Sequence, residues 1–195
     1  MKSDIILAGV GGQGILSIAA TIGVAAVDKG LFLKQAETHG MSQRGGAVMS
    51  HLRISDQPIA SDLIPLGKAD VILSVEPMES LRYLPWLSGE GWLVSNSTVF
   101  DNIPDYPDID LIRDEISKLP RTVLLDADTM ARDLGNPRGS NMVMLGAATP
   151  FLGLSPGEIR EAIAMIFKRK GQEVIDGNIR AFEAGHAFAL KAHNR

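Results

Sequence analysis

Cysteine is absent from all 195 residues. That excludes a disulfide framework, a thiolate nucleophile and an iron–sulfur cluster held by the chain's own sulfurs. Histidine is scarce: His39, His51, His186 and His193 are the whole set, and no two are spaced as ligands on one helical turn. The sequence therefore offers no self-contained metal site. Basic excess is lacking too. Nineteen Lys and Arg against 23 Asp and Glu give a formal charge of −4, too weak a field to imply nucleic acid or anionic lipid as a partner. The one basic run, Lys168 to Lys170, falls where a helix end would favour cations. No apolar run approaches the roughly 18 residues of a bilayer span. Met1 to Asp4 leads into a strand-like segment without a leader pattern. A cytoplasmic protein with no membrane partner is expected.

What is present is a patterned apolar chain, 45% hydrophobic and 22% charged, long enough for a real core. Ile5–Ala8 is a short apolar run, followed by a glycine turn and then a helical pattern over Ile15–Asp28 that Gly30 would end. Leu31–Thr38 reads as a strand, Gly40–Gly46 as a loop, and Ala47–Ile54 as an imperfectly alternating strand. Ala69–Val75 has the density of a buried parallel strand. Pro77 introduces a helix to Leu84; Trp92–Ser95 and Thr122–Asp126 read as further strands, with short helices over Ile112–Leu119 and Thr129–Leu134. The last quarter is helical over Asn141–Phe151, Ser155–Lys168 and Gln172–Lys191, with Ser155, Pro156 and Glu158 forming a capping box. No repeat or linker divides the chain. The expectation is one α/β domain over residues 1–195, a three-layer α/β/α with a Rossmann-like sheet and a helical C-terminal region.

Two loops carry the chemistry. Gly9, Gly11 and Gly14 satisfy G-x-G-x-x-G between strand and helix, where backbone N–H groups and a helix's positive end can meet an anion. Gln13 can donate to a ligand oxygen or to a facing backbone. The dinucleotide version also needs an acid about 20 residues further on, after the second strand. Glu37 is the one candidate. No Gly-Lys-Ser/Thr follows, so this is not a Walker loop. The alternatives here are an anion or partner contact, a dinucleotide site, and a purely structural turn. The second loop, His39 to Gly46, sets Gln43 and Arg44 among Gly40, Gly45 and Gly46. A guanidinium there suits a carboxylate or phosphate, or pins the loop internally on Glu37 or Glu76.

With Gly9-Val10-Gly11-Gly12-Gln13-Gly14 and Glu37-Thr38-His39-Gly40-Met41-Ser42-Gln43-Arg44-Gly45-Gly46 in this order, the chain resembles the gamma-type domain of 2-oxoacid:ferredoxin oxidoreductases. The resemblance continues through Asp70-Val71, Glu76-Pro77, Asn96, Asp128 to Ala131, Asn141 to Ala147, Asn178, Ala181-Phe182 and Gly185. The segment before Arg44-Gly45-Gly46 follows the branch acting on aromatic 2-oxoacids such as indolepyruvate.

That resemblance implies a subunit, inactive alone, of a complex that oxidatively decarboxylates an arylpyruvate with coenzyme A and passes electrons to ferredoxin. It implies thiamine diphosphate, Mg2+ and 4Fe-4S clusters on a large alpha subunit, with no cofactor bound by this chain alone and ferredoxin met through the complex. Gly11, Gly12, Gln13, Gly14, Gln43, Arg44, Gly45 and Gly46 become the residues expected to approach coenzyme A or the large subunit. No catalytic base is assigned. The gamma subunit of another such oxidoreductase, a stand-alone Rossmann-like nucleotide-binding protein and an assembly scaffold remain alternatives.

Other residues have plainer readings. His51 is expected partly exposed on a strand, and His186 in a core or interface. Ser140 or Asn141 is expected to cap a helix, with an interface or ligand contact as the alternative for Asn141. Asp126 and Asp128 cap the helix after their strand or form a polar corner. Gly185 permits close approach of another element.

Overall fold

The computed structural model describes residues 1–39, 45–101, 103 and 105–193. Its strands are β1 (Lys2–Val10), β2 (Phe32–His39), β3 (Ala47–Ser55), β4 (Ala69–Ser74), β5 (Leu87–Asn96) and β6 (Thr122–Leu125). They form one sheet in the order β2-β3-β1-β4-β5-β6. β1, β4, β5 and β6 run parallel, whereas β3 is antiparallel to both β1 and β2. The helices are α1 (Ile15–Asp28), α2 (Pro77–Arg82), α3 (Ile109–Ser117), α4 (Ala127–Asp133), α5 (Ser140–Leu152), α6 (Pro156–Phe167) and α7 (Gln172–His193).

Both faces of the sheet are covered. Successive β1 side chains point to opposite faces, so Ile5 and Leu7 join the core under α1, α4, α5, α6 and α7, while Ile6 joins Ile112 and Ile116 under α2 and α3. Every residue from Ser3 to Val10 is buried. This is the expected three-layer α/β/α arrangement, with a mixed sheet instead of a fully parallel one. None of the described helices is long and apolar enough to cross a membrane.

The C-terminal helical region is held to the sheet by an unusually close crossing of α5 and α7. A Cβ built on Gly146 would lie 1.9 Å from the Phe182 carbonyl oxygen, and one on Gly185 would lie 1.9 Å from the Val143 carbonyl oxygen. Only glycine at both positions permits that approach. Met142, Val143, Leu145, Phe182 and Ala189 fill the seam, each fully buried. The capping box of α6 forms as expected, with Ser155 accepting from Glu158 N–H and Glu158 accepting from Ser155 N–H at 2.7 Å.

Several expectations need correction. β5 begins five residues before Trp92. His51 is 7% exposed, because β3 is an interior strand; its Nδ1 accepts from Ile64 N–H at 3.1 Å. Burial is the largest influence on that imidazole and holds it below its ordinary pKa, so it stays neutral near pH 7. Neither Ser140 nor Asn141 caps α5: Gly139 holds that position without a side-chain cap.

Candidate functional site

In a mostly parallel sheet the carboxyl ends of the strands open a crevice where the chain reverses its direction of progress. Here that point lies between β1, whose chain continues to β2 and β3 on one side, and β4, whose chain continues to β5 on the other. A cavity of about 460 Å³ opens at this place. Its walls come from the glycine turn (Gly12, Gln13, Gly14), the ends of β4 and β5 (Val75, Asn96), Phe100, Asp128, and the approach to α5 (Pro137, Arg138, Ser140, Asn141, Met144).

The turn is shaped by its own side chain. Gln13 Oε1 accepts from Val10 N–H at 2.8 Å, and its Nε2 donates to the Val75 carbonyl at 3.2 Å. Both ends of the amide are therefore used on facing backbone, one of the two roles the sequence allows. Gly14 adopts φ 85° at the N-terminus of α1, and a Cβ there would meet Asn141 Nδ2 at 2.5 Å. Asn141 instead donates to the Gly14 carbonyl at 3.3 Å, tying the start of α5 to the start of α1. Two helix N-termini thus face one cavity. Among the described residues the N–H groups of Gly12, Gly14, Ile15 and Leu16 have no backbone acceptor. These are orphan donors of the kind that bind an anion.

Val75 carbonyl is a junction, because Asn96 Nδ2 donates to it at 3.3 Å as well. Asn96, only 3% exposed, also donates to Asp128 Oδ2 at 2.7 Å and accepts from Ala127 N–H at 3.1 Å. One buried amide therefore fixes β4, β5 and the start of α4 together. Asp126 caps α4, accepting from Thr129 N–H at 2.8 Å. Partial burial would raise its carboxyl, but hydrogen bonds from Thr129 and Thr98 and the charge of Arg132 hold it below the ordinary range. Asp128 is not a cap; it stands on the cavity wall. Arg138, exposed, has no hydrogen bond or ion pair among the described residues. The cavity thus offers orphan N–H groups, two helix ends and one free guanidinium to an anion, with one carboxylate opposite.

The two sequence-predicted loops meet. Gly11 N–H donates to the Gly46 carbonyl at 2.9 Å, and Gly45 N–H points at the Gly11 carbonyl at 3.5 Å. Gly12, Gln13 and Gly14 line the cavity, while Gly11, Gly45 and Gly46 form the clamp behind it. Gln43 and Arg44 lie outside the described residues. Glu37 sits on β2, with β3 between it and β1, so it does not occupy the ribose position of a dinucleotide fold. Glu76, fully buried, accepts from Tyr106 O–H and from Glu79 N–H; the expected pairing of Arg44 with Glu37 or Glu76 lies outside the described residues. Arg138 is the residue the sequence reading missed. The signal that marks it is Pro137-Arg138-Gly139, a cation in a turn directly before a helix start.

Among the described residues no group of three His, Asp or Glu is placed to hold a metal. With no cysteine in the chain, there is no thiolate to ligate a cluster.

A family model described as pyruvate ferredoxin/flavodoxin oxidoreductase matches residues 4–188. The chain is 35% identical over 199 residues to the indolepyruvate oxidoreductase subunit IorB of Archaeoglobus fulgidus, covering 97% of this chain and 96% of that one. It is 37% identical over 192 residues to the subunit of the same name from Thermococcus kodakarensis, covering 93% of each. The gamma subunit of the keto/oxoacid ferredoxin oxidoreductase from Geobacter sulfurreducens superposes with a TM-score of 0.70 at 26% identity, covering 97% of this chain and 99% of that chain.

Proposed function

The chain belongs to the pyruvate ferredoxin/flavodoxin oxidoreductase family, and from that premise we propose that it is the small subunit of a heteromeric oxidoreductase acting on indolepyruvate or a related aryl 2-oxoacid. The observation that carries this reading is the end-to-end match, at 35% and 37% identity, to relatives that are themselves named as indolepyruvate oxidoreductase subunits. In the reaction the carbon–carboxylate bond of the 2-oxoacid breaks, CO2 leaves, and the acyl carbon is captured by the thiol of coenzyme A. The released electron pair passes singly to ferredoxin.

The residues of this chain limit its share of that chemistry. Iron–sulfur clusters do not fit it, since it has no thiolate to offer. Thiamine diphosphate with its Mg2+ is assigned to another chain on the family resemblance alone. Both belong to the large alpha subunit in this account. Coenzyme A does fit: its phosphates suit the orphan N–H groups at Gly12, Gly14, Ile15 and Leu16 and the guanidinium of Arg138. The glycine turn is then a ligand cradle, clamped by Gly45-Gly46, with Gln43 and Arg44 as further residues approaching coenzyme A or the large subunit. Subunit and cytoplasmic solute meet at the open end of the sheet.

The test is reconstitution with the large subunit and a panel of 2-oxoacids. Coenzyme A-dependent ferredoxin reduction with aryl substrates, lost when either chain is omitted, supports the reading. An assembly that works equally well without this chain ends it.

A further inference from the structure

The cavity that gathers the orphan N–H groups and Arg138 also holds a carboxylate, Asp128. A site open to any phosphate would keep negative charge off its walls, because like charge opposes the ligand that the N–H groups attract. Helix support explains part of this residue: Asp128 stands in the first turn of α4, where an acid is favourable. That accounts for a carboxylate near the helix start, but not for the hydrogen bonds that fix it on the cavity wall.

Asp128 Oδ2 accepts from the buried Asn96 Nδ2 at 2.7 Å. The same amide nitrogen donates to the Val75 carbonyl, which also takes Gln13 Nε2 at 3.2 Å. Gln13 in turn holds Val10 N–H at the root of the glycine turn. One hydrogen-bonded chain therefore joins the carboxylate to the anion cradle and fixes the spacing between them. Asp128 Oδ1 has no hydrogen-bond or ion-pair partner among the described residues. An ionised carboxylate accepts and cannot donate, so this oxygen asks for a donor from the ligand. Phe100, Pro137 and Met144 make part of the remaining wall apolar, and about 460 Å³ suits an organic ligand better than a bare ion.

We propose that Asp128 is the specificity-determining residue of this cavity. It accepts from a ligand hydroxyl beside the phosphate, so the site takes an esterified, hydroxyl-bearing phosphate and rejects inorganic pyrophosphate. This rests on the reading of the cavity as the place where the chain meets coenzyme A, whose ribose carries a hydroxyl close to its phosphates. Pyrophosphate lacks that hydroxyl and ends in free charge. Seated on the N–H groups, it would leave Asp128 Oδ1 unpaired and set charge against charge, and such a repulsive element is how a binding site discriminates between ligands that share one feature.

Competition between pyrophosphate and coenzyme A in the assembled complex, at fixed free Mg2+, tests this. Asp128→Asn keeps an acceptor for Asn96 and removes the charge. Pyrophosphate should then inhibit at a concentration at least about tenfold lower, while the KM for coenzyme A rises about threefold or more. A merely structural role would not move the two constants in opposite directions. Asp128→Glu retains the charge and should keep pyrophosphate inhibition within about threefold of the wild type. Unchanged pyrophosphate inhibition in Asp128→Asn, a shift of both constants in the same direction, or an Asp128→Glu enzyme as sensitive as Asp128→Asn overturns the proposal and leaves the functional reading standing. Arg138→Ala separates the two readings, because it should raise both constants. If it moves neither, the complex meets coenzyme A elsewhere, and the proposal falls together with that assignment of the cavity.

Discussion

Gly185→Ala adds one methyl group to the middle of α7, and on helix propensity alone it should stabilise by about 0.5–1 kcal/mol. The structure predicts the opposite sign. The new Cβ would sit 1.9 Å from the Val143 carbonyl oxygen and 2.7 Å from its carbon. Both are backbone atoms inside α5, so no rotamer change relieves the clash. Restoring ordinary contact distance requires the two helix axes to part by more than about 1 Å, which opens a seam that is packed like a crystal. Overpacking that flexible side chains absorb costs about 1–3 kcal/mol. With backbone on both sides, about 3 kcal/mol net of the propensity gain is a fair expectation. For a chain of this size that is a Tm lower by roughly 6–12 °C. Gly146→Ala should behave alike, since its Cβ would strike the Phe182 carbonyl. Gly177→Ala on the same α7 is the control: its nearest neighbour would be 3.5 Å away, so its Tm should hold or rise slightly. Thermal unfolding followed by circular dichroism reads all three. A Gly185→Ala protein as stable as the Gly177→Ala one would refute the close crossing. Because α5 carries Ser140 and Asn141 into the cavity, parting the helices should also raise the complex's apparent KM for coenzyme A.

Arg138→Ala removes an exposed cation without partners among the described residues, so Tm should stay within about 1 °C while the assembled enzyme's KM for coenzyme A rises about tenfold; steady-state kinetics at varied coenzyme A checks both. Gln13→Ala takes away the two bonds that hold the glycine turn, which should cost about 1–2 kcal/mol in urea unfolding and raise the same KM without preventing assembly. Asp4, 1% exposed, gives an acid-limb prediction. Burial would raise its carboxyl, but the bidentate bond from Arg53, at 2.7 and 3.0 Å, and the charge of Lys2 outweigh it and hold the pKa below the ordinary 3.8. A carboxyl depressed by folding contributes stability that is present above about pH 4 and is lost as pH falls through its lower folded value. Asp4→Asn should lower the neutral-pH Tm, since Arg53 loses its counter-charge, and flatten the fall of Tm between about pH 4 and 2.

Much of the architecture was legible because its signals are local. Helix and strand periods, Pro77, the Ser155 capping box and the Gly30 stop each act within a few residues, and each element they marked is present. The order of the strands was not legible. Nothing local in Ala47–Ser55 says that it inserts antiparallel between β1 and β2, yet that insertion buries His51 and removes Glu37 from the glycine turn. The candidate site divides in the same way. Gly12, Gln13 and Gly14 were visible as a motif, because positive φ and a compact turn restrict the residue type. Asp128 was visible as part of a polar corner after its strand, and Arg138 only as a cation before a helix start; that both line one cavity follows from the packing of α4 and α5 on the sheet. Asn141 was misassigned for the same reason: a helix-start amide looks like a cap until the neighbouring α1 supplies Gly14 as its acceptor.

The proposed division of labour between this chain and a large subunit is tested most directly by measuring iron, thiamine and turnover on the purified chain, alone and after assembly with that subunit. The account predicts neither bound iron nor thiamine and no arylpyruvate oxidation for the chain alone, with coenzyme A-dependent ferredoxin reduction on assembly. Stoichiometric iron or thiamine on the isolated chain, or decarboxylation by it unaided, would contradict the account.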